Sequence, residues 1–562
     1  MKKPNARSEK AEQFVIGVDV GTGSARAGVF DARGKMLATA SEPIQTWRPK
    51  PDYVEQSSAD IWRAVCVVVR ACTQQSGVSA KSVAGISFDA TCSLVALDGK
   101  NQPLAVNDEG DNNRNIIVWM DHRALAETEE INAGNHEVLR YVGGRLSPEM
   151  ETPKLKWLQN HLPQTYAKAG QFFDLADFLT WRASGSTTRS LCTLVCKWTY
   201  LGHKNNFKGG WDKDYFQKIG LDDLLKNGKI GDVVRPMGER LGVLTPRAAK
   251  ELGLSTACAV GVGIIDAHAG GLGLLGAIWE GKSETRLEDL ESVLALIGGT
   301  SNCHMAVSRE ANFIPGVWGP YFSAMVPGMW LSEGGQSTAG SAIDHVIASH
   351  PNAPQLQAEA KRKKQTVYEI LNAEVLRLQQ EQGKLQGKSC EITSDLHILP
   401  YFLGNRSPNA DPHARAVFDG VSLDTSLSSQ ALQYYACIQA VAYGTRDIIA
   451  AMNRAGSRID TMFVTGGGTK NPLWLQEHAD ATQCKIVLPR ESEAVLLGSA
   501  ILAATAAGMH ADIYAAMQAM SGAGQVIEPR RETAKYHAAK YKIFQELYAQ
   551  QKKRNAAMAK FS

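Results

Sequence analysis

The sequence predicts an α/β protein of at least two domains, and three observations carry that expectation. The chain has 562 residues, more than one ordinary hydrophobic core organises. Apolar stretches with strand character alternate with helical ones from residue 14 onward. Glycine-rich corners follow directly on apolar strands at three well-separated places.

The first corner lies in FVIGVDVGTGSARAGVFD, Phe14 to Asp31. It reads as a strand, a turn of Gly21, Thr22, Gly23 and Ser24, and a second alternating strand. SADIWRAVCVVVRACTQQ then reads as a helix that Ser58 can cap, and SVAGISFDATCSLVALD as further strand. This mixture of hairpin and crossover predicts a mixed sheet. From about 121 to 260 the chain is expected to be mostly helical, with loops such as LGHKNNFKGGWDKD. The charged stretch EGKSETRLEDLE marks a domain boundary ahead of the second corner, in SVLALIGGTSNCHMAV, Ser292 to Val307. Residues 351–390 read as an exposed helical insertion, and the third corner lies in IDTMFVTGGGTKNPLW, Ile459 to Trp474. The domains expected are 14–282, 290–508 and a helical extension over 509–562. That extension either covers the second domain or serves contacts between the subunits of a homodimer.

Composition narrows the function. Hydrophobic residues make up 44% and charged residues 21%, and 60 basic against 57 acidic side chains leave a formal charge of +3. So near a balance gives no general attraction for nucleic acid or an acidic membrane. Ten cysteines without a pattern suit a reducing, cytoplasmic compartment. Cys192 and Cys196 have the spacing of a metal pair, but neither a second pair nor a nearby histidine in the sequence completes four ligands. The basic N-terminus leads into AEQF rather than an apolar leader. The long apolar run Ala257 to Trp279 carries Asp266, His268 and many glycines, which fits a strand, a turn and a small-residue helix better than a membrane span.

A glycine corner after a strand can hold an anion on its backbone N–H groups, since no Cβ blocks the approach. Thr22, Ser24, Thr300 and Ser301 add hydroxyls. Neither GTGSAR nor GGTSNC is a Walker A loop, and the first corner runs into a strand, unlike a dinucleotide fingerprint. Asp19 is the telling residue. An acid in a buried strand costs several kcal/mol unless it is paired or metal-bound, and beside a phosphate cradle it can hold Mg²⁺ directly or through water. Asp266, after GVGII and before small residues that admit a substrate or a helix, can take a proton from an attacking hydroxyl. His268 reads as structural.

These segments resemble the FGGY carbohydrate kinases of the actin/hexokinase/Hsp70-like superfamily, over roughly residues 14–508. GVDVGTGSARAGVFD and IGGTSNCHM are similar to the family's two phosphate motifs, and VTGGGTKNPLWLQEHADAT to its adenosine motif. WMDHRA, METPKLKWL and GVGIIDAHAGGLG resemble motifs of its sugar-binding half. The resemblance implies two ribonuclease-H-like domains with ATP, Mg²⁺ and sugar meeting in a central cleft. It implies Asp266 as catalytic base and Asp19 as metal-side acid. Gly21, Thr22, Gly23, Ser24, Gly299, Thr300, Ser301, Gly335, Gln336, Gly467, Gly468 and Asn471 would border ATP. FDATCSLVALD and HILPYFLGNRSPNADPHARA look like the ribulokinase branch, especially D-ribulose kinases. Asp89, Thr91, Cys92, Ser93, Asp121, Arg123 and Asp266 are then the residues expected around a polyol. The implied reaction turns D-ribulose into D-ribulose 5-phosphate. L-ribulose, xylulose and sedoheptulose kinases share the scaffold, and an actin- or chaperone-like ATPase is the alternative of another class.

Overall fold

The computed structural model describes residues 12–386 and 391–561. The basic N-terminal stretch MKKPNARSEK lies outside these residues, as do 387–390 of the expected insertion. The chain forms two compact units. One contains everything up to Thr285, with Tyr321–Met329 and Glu493–Gly522; the other contains Arg286–Pro320, Trp330–Ser492 and Ala523–Ser562.

In the first unit the strand Phe14–Val20 pairs antiparallel with Ser24–Phe30, which pairs with Met36–Pro43. On its other side it runs parallel to Val83–Ala90, followed outward by Ala259–Gly261 and Arg240–Val243. The second unit repeats this order. Val293–Gly298 is antiparallel to Asn302–Ser308, itself antiparallel to Trp330–Gln336, and parallel to Thr461–Gly466, which is parallel to Lys485–Pro489. Two mixed sheets of one topology therefore stand behind the first and second corners.

Local chemistry sets the element ends. The Ser58–Ser76 helix is capped by Ser57, one residue earlier than expected: Ser57 keeps an extended backbone and its Oγ accepts from the Asp60 N–H at 3.2 Å, while Gly77 ends the helix at φ 70°. Its apolar stripe, Ile61, Val65, Val68, Val69 and Cys72, is buried against the sheet. The stretch expected as one further strand divides into Val83–Ala90 and Leu94–Asp98, which belong to different sheets.

Two segments sit differently from their sequence reading. The helices Ala353–Lys363 and Val367–Gln386 are not simply exposed, because Leu356, Ile370, Leu371 and Val375 join the core of the second unit beside Tyr434 and Ile438. The segment after 509 is divided. Ile513–Met520 belongs with the first unit, whereas Ala523–Ile527 adds an edge strand to the second sheet. The helix Ala534–Met558 packs Phe544 and Leu547 against Tyr401 and Tyr443 of the second unit. No described helix is long and apolar enough to cross a membrane. Residues 259–275 form two short strands and the helix Asp266–Leu275 instead.

Candidate active site

The carboxyl ends of adjacent strands in the first unit gather three acids. Asp19 and Asp89 are register partners in the parallel pair, and Ile264 and Ile265 pair with Asp89 and Ala90. Asp266 follows at once as the first residue of its helix. Asp89 is fully buried and the Asp19 side chain is 4% exposed, so both need partners. Asp19 obtains Arg26, its neighbour across the hairpin. Arg26 Nε donates to Asp19 Oδ2 at 2.9 Å, a second guanidinium nitrogen donates to the same oxygen, and a third atom, Nη1, reaches Glu493 Oε2 at 2.7 Å. Burial by itself lowers the Arg26 pKa, but Asp19 and Glu493 outweigh it and the net shift is upward.

Asp89 is held differently. Ser499 Oγ donates to its Oδ2 at 2.6 Å, while its Oδ1 meets no protein donor. Burial first, then the charge of Asp19, raises the Asp89 pKa well above the usual carboxylate range. Asp266 is half-buried, and its Oδ1 accepts from the Ala267 N–H at 2.7 Å. The small residues after it serve the packing of helix on helix: Gly273 and Gly498 let Asp266–Leu275 and Ala494–Ala506 cross with backbones in contact, where any Cβ would strike the opposing main chain. The expectation that they admit either a substrate or a helix is resolved in favour of the helix.

The corners show the opposite logic. A Cβ built on Gly23 or Gly467 would meet nothing within 4 Å, and neither residue has a positive φ. The protein's own packing thus gives no reason for glycine there. In the first corner the Gly21 N–H donates to Ser24 O at 3.1 Å, and Gln56 Nε2 and Trp119 Nε1 donate to Thr22 O and Thr22 Oγ1 at 2.8 and 3.0 Å. In the second the Gly299 N–H donates to Ser301 O at 2.9 Å, and Gly299 and Thr300 are exposed.

Other expected residues are engaged within the protein. Arg123 is wholly buried and donates to both oxygens of Asp121, to Glu55 and to Val106 O at 2.8–2.9 Å; Asp121 also accepts from the N–H groups of Val54 and Arg123. This pair braces a wall. Gln336 uses its amide on Asn302 Nδ2 and Val441 O, and Gly335 backs onto Arg406 beside a small cavity lined also by Thr338, Tyr401 and Asn405. Asn471 caps the helix Pro472–Thr482, accepting from the Leu473 N–H at 3.1 Å and donating to Tyr434 at 2.7 Å. Gly468 packs on the Trp474 ring. Thr91 and Ser93 hydroxyls lie 3.1 Å apart, and Ser93 Oγ accepts from the Trp119 N–H. Cys92 is buried, which pushes its thiol pKa up, with Lys197 and Lys154 acting against that shift.

Sequence reasoning missed Arg26, Glu493, Ser499, Lys154 and Lys197. Arg26 had a readable signal, an arginine on the strand directly across the hairpin from a buried acid. Lys154 stands in METPKLKWL with no exposed side-chain surface, paired with Glu151, whose pKa burial lifts to about 7 against the pull of Lys154. Nothing local distinguishes it from a surface lysine.

Relatives carry the same arrangement of segments. Residues 14–273 match the N-terminal domain and residues 294–507 the C-terminal domain of the FGGY family of carbohydrate kinases. The chain is 48% identical to a human FGGY carbohydrate kinase domain-containing protein, over 98% of each chain. It is 41% identical to a D-ribulokinase of Saccharomyces cerevisiae, over 88% of this chain and 72% of that one. Among solved structures, a xylulose kinase from Rhodospirillum rubrum superposes with a TM-score of 0.76 at 24% identity, covering 96% of this chain and 99% of that one. A glycerol kinase from Plasmodium falciparum superposes with a TM-score of 0.74 at 15% identity, covering 96% and 98%. The latter two share the two-domain α/β fold. With both domains matched in order and near-complete overlap with the human relative, the chain belongs to the FGGY family of carbohydrate kinases.

Proposed function

We propose that this sugar kinase transfers the γ-phosphoryl group of ATP to a ketopentose, with D-ribulose as acceptor and D-ribulose 5-phosphate as product. The observation that carries the reading is the convergence of Asp266 with Asp19 and Asp89 at the ends of neighbouring strands. The likeness to the yeast D-ribulokinase supports the choice of sugar. Relatives named ribulokinase are 29% identical, one of them from Geobacillus thermodenitrificans.

Phosphoryl transfer asks the protein mainly for positioning, charge neutralisation and a base. In this reading Asp266 accepts the proton of the sugar's terminal hydroxyl as that oxygen attacks phosphorus. Thr91, Cys92 and Ser93, beside Asp89, face the polyol, while Asp121 and Arg123 keep the wall behind them rigid. The donors at Gly21–Ser24 and Gly299–Ser301 bind phosphate oxygens, and Gly467 and Gly468 border the adenosine.

The first corner fits a hydrated divalent cation. Asp19 has both Arg26 bonds on one oxygen, Asp89 Oδ1 meets no protein donor, and the glycines beside them leave room. Bound there, Mg²⁺ supplies charge neutralisation at the phosphates. Arg26 and Ser499 fix the two acids.

The test is ADP release from ATP and Mg²⁺ with D-ribulose, L-ribulose, D- and L-xylulose, ribitol, sedoheptulose, glycerol and no sugar. Strong stimulation by D-ribulose alone is the expected result. Preference for another polyol overturns the substrate, and equal release without sugar points to an ATPase. Asp266→Asn is expected to lower turnover by about 10²–10⁴-fold with an unchanged melting temperature. Near-normal turnover removes Asp266 as base.

A further inference from the structure

In the sequence Cys192 and Cys196 lack a histidine, but the fold supplies one. Both cysteines stand four apart on the helix Leu191–Lys197, so they share one face. Against that face lies His268, in the first turn of the helix that Asp266 begins. Cys196 Sγ is 3.8 Å from His268 Nε2, all three residues are buried, and one ligand atom from each lies within 4.8 Å of the others. All three belong to the first unit.

We propose that Cys192, Cys196 and His268 form a binding site for a single thiophilic divalent ion of the zinc type, separate from the Mg²⁺ site of the corners. The distances suit such an ion. Metal–sulfur bonds of about 2.3 Å and metal–nitrogen bonds of about 2.1 Å at tetrahedral angles place sulfur and nitrogen ~3.6 Å apart and two sulfurs ~3.8 Å apart. The Cys196–His268 spacing already has nearly that length, and the widest spacing in the group contracts by about 1 Å at most to reach it. Thiolate and imidazole donors select zinc, cobalt or cadmium over magnesium, whose preference is for oxygen.

Two thiolates also cancel the charge of a divalent ion, with neutral imidazole as third donor, so the buried complex carries no net charge. As each sulfur–metal bond forms, the thiol proton leaves to solvent. Among the described residues no fourth histidine, cysteine, aspartate or glutamate joins the group, which leaves one coordination position for water or a small thiol. The ion would tie the helix of Asp266 to the helix that ends in Lys197.

The test is a Co²⁺ titration of the reduced full-length protein, read by absorption. One equivalent bound with a thiolate-to-cobalt charge-transfer band in the near ultraviolet, displaced by Zn²⁺, is expected. Cobalt on carboxylates gives no such band, so the corner site does not confuse the reading. Cys192→Ser and Cys196→Ser are each expected to lose about half of the band, and the double variant all of it. Cys484→Ser, at a buried cysteine elsewhere, keeps it. Absence of the band in the unaltered protein overturns the proposal without any variant, and so does a band undiminished in the double variant.

Discussion

The first and second glycine corners end the same strand of the same topology, yet one is charged and the other neutral. Two residues before Gly21 stands Asp19; two residues before Gly299 stands Ile297. Across the hairpins, Asp19 faces Arg26 and Ile297 faces Cys303. The bracing differs too. Side chains of Gln56 and Trp119 hold the first corner, whereas the second is held by the start of the helix Gly340–Ser349. There the N–H groups of Gly340, Ala339 and Ser341 donate to Gly299 O and Thr300 O at 3.0–3.2 Å. One turn, with hydroxyls in both units, thus follows two chemistries: an acid with its counterion in the first unit, an apolar residue in the second. The lesson is that the cradle comes from strand order and glycine, while its charge comes from single side chains that the sheet tolerates only when they are paired.

Reciprocal changes break this contrast most directly. Asp19→Asn is expected to cut turnover by about 10²–10³-fold, as loss of one electrostatic group in a catalytic site does, and to weaken the dependence on Mg²⁺ concentration. Ile297→Asp puts an acid where no arginine waits. Ile297 is half-buried, so the acid is expected to lower stability by roughly 0.5–2 kcal/mol, the cost of a polar group whose burial is partly compensated, in urea unfolding. An Asp19→Asn enzyme with normal turnover and Mg²⁺ response removes the distinction between the corners.

The glycines separate ligand space from packing. Gly340→Ala sets a Cβ 2.6 Å from Gly299 O, an overpacked contact expected to cost roughly 1–3 kcal/mol in melting temperature. Gly23→Ala meets no protein atom, so stability is expected to hold while the KM for ATP rises roughly tenfold or more, if a phosphate pays the same steric cost. Unchanged KM in that variant would return Gly23 to an ordinary turn.

The smallest effect concerns pH. Asp89 binds its proton more tightly in the folded chain than in the unfolded one, so above about pH 4 the native state holds more protons and stability falls as pH rises toward the raised value. Asp89→Asn mimics the protonated acid. It is expected to flatten that fall in a series of urea unfolding curves; a slope identical to that of the unaltered protein shows that Asp89 is not its source.

How much was legible varies with the range of the interaction. The strands around all three corners could be read because alternation and glycine punctuation are local. Asp19 could be read because a charge inside an apolar run is conspicuous. Asp121, Gln336 and Asn471 read equally well as ligand groups, but the structure engages them on Arg123, Val441 O and the Leu473 N–H. A polar residue's partner is chosen by the neighbours that folding brings, and the sequence does not display them. The helices over 353–386 look solvent-exposed by charge, although their sparse apolar residues are enough to seat them in a core.

By itself the sequence determined the alternation of strands and helices and the strand–corner junctions, since these rest on the backbone periods of 2 and 3.6 residues and on glycine; the family came from the resemblance of whole motifs, and the acids worth testing from charges set inside apolar runs. Only the tertiary structure decided that Glu493–Gly522 belongs to the first unit, bringing Ser499 to Asp89 across 410 residues. It alone placed His268 beside Cys196, 72 residues away. The helix Ala494–Ala506 is buried on nearly every side, so it carries no polar stripe to say which sheet it covers. That choice rests on shape, on backbones close enough to touch at Gly273 and Gly498, and shape is a property of the folded packing rather than of any local run of residues.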